Sequence, residues 1–150
     1  MRRALAPFER SSGDGAGPYQ IQHDLQGAMQ DLVGIVRRES EMRQALDRIT
    51  ELSTRAERVA VPGNREYNPG WHTAVDLHSM LTVSEAIARA ALERRESRGA
   101  QFREDFPDKD PEYATFNIVV RRGKDGGMEL ERRTIPPLPA ELAQVIEEMK

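Results

Sequence analysis

The sequence predicts a mainly α-helical protein: an up-down-up bundle of three helices, followed by a β-hairpin and a short C-terminal helix. Two observations carry this reading. Between Pro18 and Arg98, three stretches repeat apolar residues at helical spacing, with breaks containing Gly or Pro between them. Beyond Pro111 the spacing changes to alternation, on either side of the turn Lys124-Asp125-Gly126-Gly127. The expected divisions are a linker over 1–17, the bundle over 18–111, and the hairpin plus helix over 112–150.

The opening segment, Met1 to Gly17, reads as a linker because Ser11 to Gly17 is polar and rich in glycine. The first helix should run from about Tyr19 to Val33, with Pro18 near its start and Ile21, Leu25, Ala28 or Met29, and Leu32 as its stripe. Gly27 lies inside it at a cost of about 1 kcal/mol relative to Ala, the kind of glycine that often admits another backbone. Gly34 ends the helix, and Ile35 to Arg38 should be a short extended link. A second helix opens at Glu39 or Ser40 and continues to about Val59. Met42, Ala45 or Leu46, Ile49, Leu52, Ala56 and Val59 recur in it near a heptad, opposite a charged face that includes Arg43, Asp47, Glu51 and Arg55.

Pro62-Gly63-Asn64 breaks that helix, and Asn68-Pro69-Gly70 is turn chemistry. From about Thr73 to Arg98 there is neither Pro nor Gly. The apolar set Ala74, Leu77, Leu81, Ile87 and Ala91, with Met80, Val83 and Ala90 beside it, is wide enough for a central helix covered on two sides. Gly99 supplies the stop, which places Arg94, Arg95 and Arg98 in the last turn, where cations suit the helix dipole.

In the hairpin, Phe116, Ile118 and Val120 share one face of the first strand, with Met128 and Leu130 opposite. An isolated hairpin is marginal, so it must lean on the bundle, another domain or a second copy, and weak self-association through this face is expected. Ala140 to Met149 forms a short helix with Leu142, Val145, Ile146 and Met149 on one side.

Composition excludes several kinds of chemistry. A chain of 150 residues suffices for one domain with a real core. Lys plus Arg number 22 against 25 Asp plus Glu, a net charge of −3, which argues against a general nucleic-acid binder. With no cysteine there is no disulfide, thiolate nucleophile or Fe–S ligation within the chain. No apolar run approaches a bilayer-crossing length, and Met1-Arg2-Arg3 lacks an apolar region behind it, so direct membrane insertion is not expected and a soluble, cytoplasmic chain is. His72 and His78 are not spaced as ligands on one helix face, and His23 is far from both in sequence. Glu104, Asp105, Asp108 and Asp110 read as a solvated acidic loop, and no G-x-G-x-x-G follows a strand. No catalytic, cofactor-binding or metal-binding residue is assigned.

The most specific string is the exit of the third helix, Glu96 to Pro107: ESRGAQFREDFP. It resembles the signature that closes the long helix in the C-terminal helical domain of succinate dehydrogenase and fumarate reductase flavoproteins, a domain that L-aspartate oxidase carries in related form. The family pattern is roughly E-S-R-G-(A/G)-H-x-R-x-D-x-P, and Gln101 stands where the family usually has His. Leu25-Gln26 and the run from Met29 to Arg37 look like that domain's first helix and its exit, so the resemblance covers about Pro18 to Pro111.

The resemblance implies a spectrin-repeat-like arrangement of the three helices. It also implies a linker that leaves a preceding flavin domain, with the catalytic and flavin-binding residues lying N-terminal to this region. The expected role is a scaffold packing on the FAD-binding domain of the same polypeptide, inactive alone and without FAD of its own. The parent would be an FAD-dependent oxidoreductase that passes hydride between succinate and flavin and electrons to an iron–sulfur subunit, peripheral at the cytoplasmic face of a membrane. The residues expected at the interdomain contact are Arg95, Ser97, Arg98, Gln101, Arg103 and Asp105, because Arg forks pair well with carboxylates and carbonyls across interfaces. Arg98 and Arg103 are accordingly expected near the surface. A solvated helix end, with Glu93, Glu96 and Glu104 as partners, is the plainer alternative for the arginines. A free-standing three-helix interaction module is the alternative for the whole chain.

Overall fold

Three of the amphipathic stretches form helices that pack on one another: α2 (Pro18–Leu32), α3 (Glu39–Ala56) and α4 (Pro69–Glu93). The structure, a computed structural model, describes residues 2–10 and 17–149. The chain is mainly helical, with one hairpin and a short C-terminal helix. The heptad of α3 is buried as its spacing requires, at Met42, Ala45, Ile49, Leu52 and Ala56. Ala45, Ile49, Leu52 and Ala56 form one core cluster with Ile21 and Leu25 of α2 and Ala74, Leu77 and Leu81 of α4.

The stripe of α4 is narrower than its composition suggested. Ala74, Leu77, Leu81, Ser84, Ala88 and Ala91 are buried, alternating three and four residues apart on one face. Val83 and Ile87, expected under a second cover, are 58% and 45% exposed. Both ends of α4 also differ from expectation. Asn68 caps the start, its side chain accepting from the Trp71 N–H at 3.2 Å, and Pro69 takes the first position, where its missing N–H costs nothing. The helix therefore begins before Thr73. It ends at Glu93, so Arg94, Arg95 and Arg98 lie beyond the last turn. Gly99, at φ +60, serves the tight loop that pairs Arg98 with Gln101 instead of stopping the helix.

Gly27 admits no neighbour, since a Cβ built there meets nothing within 4 Å. Gly34 is the close approach: a Cβ there would lie 2.8 Å from the Gln30 carbonyl oxygen.

The expected linker over 1–17 is partly helical, as α1 (Arg2–Glu9) shows; residues 11–16 lie outside the described residues. A helix this short does not hold itself in water. It is held by tertiary contacts instead. Trp71 donates its indole N–H to the Ala4 carbonyl at 2.6 Å, and Val61 donates to the Pro7 carbonyl at 2.8 Å. Phe8 stacks on Trp71, and Arg10 reaches the Val59 carbonyl at 2.9 Å.

The extended link after Gly34 contains a strand, β1 (Val36–Arg37). It pairs in parallel with β2 (Phe102–Arg103), a strand not foreseen in the exit. The hairpin of β3 (Phe116–Arg122) and β4 (Met128–Thr134) has Ile118 opposite Arg132 and Val120 opposite Leu130. It leans on α4, with Phe116 buried and Ile118, Val120, Met128 and Leu130 half-buried. Helix α5 (Ala140–Glu148) leaves Leu142, Val145 and Ile146 about half exposed, with Met149 beyond it largely exposed.

Candidate functional site

The last turn of an α-helix leaves carbonyls without intrahelical partners. At the end of α4 these carbonyls are taken by side chains from the exit and beyond. Arg103 Nη1 donates to the carbonyls of Ala91, Leu92 and Arg94 at 3.1, 3.3 and 3.1 Å. Tyr113 donates its hydroxyl to Glu93 at 3.0 Å, and Gln101 Nε2 donates to Arg94 at 2.9 Å. The helix stops at Glu93 because a tertiary set of donors replaces the next turn. A local stop signal is not needed.

Arg103 is fully buried. Its other edge forms a fork on Asp105, Nε to Oδ1 and Nη2 to Oδ2, both at 2.7 Å. Asp105 also accepts from the Glu39 N–H at 3.0 Å, so it caps the start of α3 from across the chain. Beside it, Arg38 pairs with Glu104. One guanidinium and one carboxylate thus tie the end of α4 to the beginning of α3. The expectation that Arg103 lies near the surface fails for this reason: its donors are used inside the domain.

Glu96 is the second buried charge, with a fully buried side chain. It accepts from Arg94 at 2.5 Å, from Arg98 in a fork at 2.8 and 2.9 Å, and from the Asp110 N–H at 2.9 Å. The Arg98 hydrogen bond is the main reason its pKa falls to about 2, against the opposing effect of burial. The Arg103 fork is the main reason that of Asp105 falls to about 2. Ser97 is buried between the two centres. Its Oγ accepts from the Arg103 N–H at 2.8 Å and donates to Phe106 O at 2.9 Å.

Of the residues singled out in the exit, Ser97, Arg103 and Asp105 come together in this knot, and Arg98 and Gln101 join it at the half-buried rim. Arg95 stands apart and exposed. Gln101 uses both ends of its amide, because its Oε1 also accepts from Arg37 Nη1 at 3.1 Å. Sequence reasoning quotes Glu96 in the signature string and gives it a partner's role only in the plainer alternative, and it assigns no role to Arg37 or Tyr113. For Glu96 the available signal is its position between Arg94, Arg95 and Arg98. Tyr113 carries no local signal at all.

Arg37, Arg94, Gln101 and Asn117 line a pocket of about 460 Å³ together with Ile87, Ala90, Ala91 and Ile118. β1 leads into α3 through Arg38, so this strand-to-helix turn lacks the glycines of a dinucleotide cradle. Among the described residues no cluster of His, Asp or Glu is arranged to hold a metal, and no helix is long and apolar enough to cross a membrane.

Fold and knot together define a helical domain in which Glu96, Arg98, Arg103 and Asp105 hold its own exit. The chain belongs to the family described as fumarate reductase flavoprotein C-term, whose model matches residues 22–145. The match passes through the hairpin into α5, so the resemblance does not end at Pro111. The physical reason is visible in Tyr113 and Arg132. Tyr113 caps α4, and Arg132 on β4 lies over the Tyr113 and Phe116 rings and pairs with Glu93 at 2.8 Å.

The fumarate reductase flavoprotein subunit of Mycobacterium tuberculosis H37Rv is 32% identical over 127 residues, covering 82% of this chain and 21% of that one. The fumarate reductase flavoprotein subunit of Haemophilus influenzae is 36% identical over 113 residues, 75% of this chain and 19% of that one. In structure, Mycobacterium smegmatis Sdh1 in complex with UQ1 matches with a TM-score of 0.89 at 41% identity, over 97% of this chain and 25% of that one. The chain is thus the C-terminal domain of a succinate dehydrogenase or fumarate reductase type flavoprotein subunit, and it spans about a fifth of the length of the curated relatives it matches.

Proposed function

We propose that this domain is the C-terminal scaffold of an FAD-dependent oxidoreductase acting between succinate and fumarate, seated on the FAD-binding domain of the same polypeptide. The observation that supports this best is the fit to Mycobacterium smegmatis Sdh1 over 97% of the chain at 41% identity. FAD belongs to the parent's other domain in this reading. It would supply the hydride chemistry there, and no step is assigned to the residues of this chain. Electrons would leave through an iron–sulfur subunit, with the complex peripheral at the cytoplasmic face of a membrane. Helices α2, α3 and α4 form an up-down-up, spectrin-repeat-like bundle in this reading.

In the interdomain contact, Arg95 and the outer edges of Arg98 and Gln101 are presented to the partner domain, while Ser97, Arg103 and Asp105 hold them in position from behind. Val83, Ile87 and Phe102 are exposed apolar residues, and Ile87 shares a pocket with Gln101. Such residues are normal singly and informative when they adjoin a charged rim. The test removes this domain from the parent flavoprotein. Loss of flavin from the purified protein and loss of succinate oxidation are expected. Unchanged flavin content and turnover would overturn the proposal.

A further inference from the structure

We propose that the pocket between the β1–β2 ladder, the end of α4 and β3 is a receptor for a carboxylate side chain of the FAD-binding domain, with Arg37 as the residue that pairs with it. This inference rests on the scaffold reading above and names the contact within it.

Arg37 differs from its neighbours. Arg38, Arg94, Arg98 and Arg103 each have a carboxylate at ion-pair distance. Arg37 has none among the described residues. Its bonds go to neutral acceptors, Nε to the Gly34 carbonyl at 2.7 Å and Nη1 to Gln101 Oε1 at 3.1 Å. These bonds fix the guanidinium at the wall of the pocket without neutralising it. Burial, and next the neighbouring Arg103 charge, bring its pKa down, as expected of a cation short of counter-charge. A half-buried arginine held in one orientation and left without an anion is arranged to receive one.

The rest of the pocket favours a side chain over a free ion. Asn117 and Gln101 add polar groups to its lining, while Ile87, Ala90 and Ile118 add apolar ones. Ile87 is 45% exposed and, with Val83 at 58%, carries the apolar surface on along α4. An acidic residue followed by an apolar one fits this sequence of surfaces. The occupant is sought in the same polypeptide because the Sdh1 chain that this domain matches is mostly made of other residues, the match covering 25% of it.

The experiment uses the full flavoprotein. Arg37→Lys puts an amine at the pocket wall, and a zero-length carbodiimide couples amines only to carboxylates in contact. Mass spectrometry of the crosslinked protein should find this position joined to an Asp or Glu of the FAD-binding domain. In the Arg37→Lys background, Asn117→Asp places a competing and repelling carboxylate in the pocket lining and should lower the interdomain crosslink yield by about tenfold. Other interdomain crosslinks with none from position 37 would overturn this inference and leave the scaffold reading standing. No interdomain crosslink anywhere would overturn both. Succinate or inorganic phosphate is titrated separately into this chain by calorimetry. Binding that disappears in Arg37→Gln would show a small-anion site and overturn the docking assignment.

Discussion

Arg103 shows why a charged residue in a signature is not automatically a surface contact. It covers three carbonyls and both oxygens of Asp105 with one planar fork, and no water reaches it. Lysine carries its three donors on one nitrogen and cannot span the two sides. Arg103→Lys keeps the charge but loses most of the fork, and should therefore destabilise this chain by about 1.5–3 kcal/mol, the usual value of a hydrogen bond to a charged group. Urea unfolding of this chain would measure it. A change below about 0.5 kcal/mol, typical of surface sites, would refute the buried knot.

The same residues set an acid limit. Glu96 and Asp105 have ordinary values of 4.5 and 3.8 and are held at about 2 in the folded chain. A depressed carboxylate stabilises fully above its ordinary value and loses that contribution as pH falls toward the folded one. Stability should thus be level above about pH 5 and fall progressively between there and about pH 2. Glu96→Gln should be less stable at neutral pH and should show a shallower acid loss. A parallel fall in both proteins would mean that Glu96 does not carry the effect.

At the scale of the element, α1 and the end of α4 make the same point: short elements are kept by what they touch. Trp71 connects α1 to α4 through the indole bond to Ala4 and the stack with Phe8. Trp71→Phe retains a ring and removes the donor, and should cost about 1 kcal/mol, the net value of one hydrogen bond. Faster amide exchange confined to residues 2–10 and the neighbouring Val61 is the expected signature, because the Val61 N–H bonds to Pro7. Unchanged exchange there would show that α1 is held without the indole. Within α2, by contrast, Gly27 faces open space, so a methyl would meet no neighbour.

For the molecule as a whole, the informative surface is the one left uncovered. Val83, Ile87 and Phe102 are exposed, and Ile118, Val120, Met128 and Leu130 of the hairpin face are only half-buried. In a chain separated from its parent, such a face has only other copies available to cover it. Weak self-association at high concentration is expected by sedimentation, reduced by Ile118→Lys. A strict monomer, unchanged by the substitution, would place the hairpin outside any association.

The sequence by itself determined the helices with strong period, the hairpin and the family. The heptad of α3 and the ESRGAQFREDFP string are local patterns, and local patterns survive without coordinates. Legibility ended where a residue's role depends on a distant partner. Arg103 looked like a surface cation because nothing nearby in sequence says that the carbonyls of Ala91, Leu92 and Arg94 would need its donors. Asp105 looked like part of a solvated acidic loop, yet its second oxygen caps α3 at Glu39. Ile87 looked like core because composition cannot say which side of a wide apolar stripe is covered. Tertiary structure decided these points: the free energy of a buried charge or an unpaired carbonyl is set by which group lies within hydrogen-bond reach, and here that group came from far along the chain.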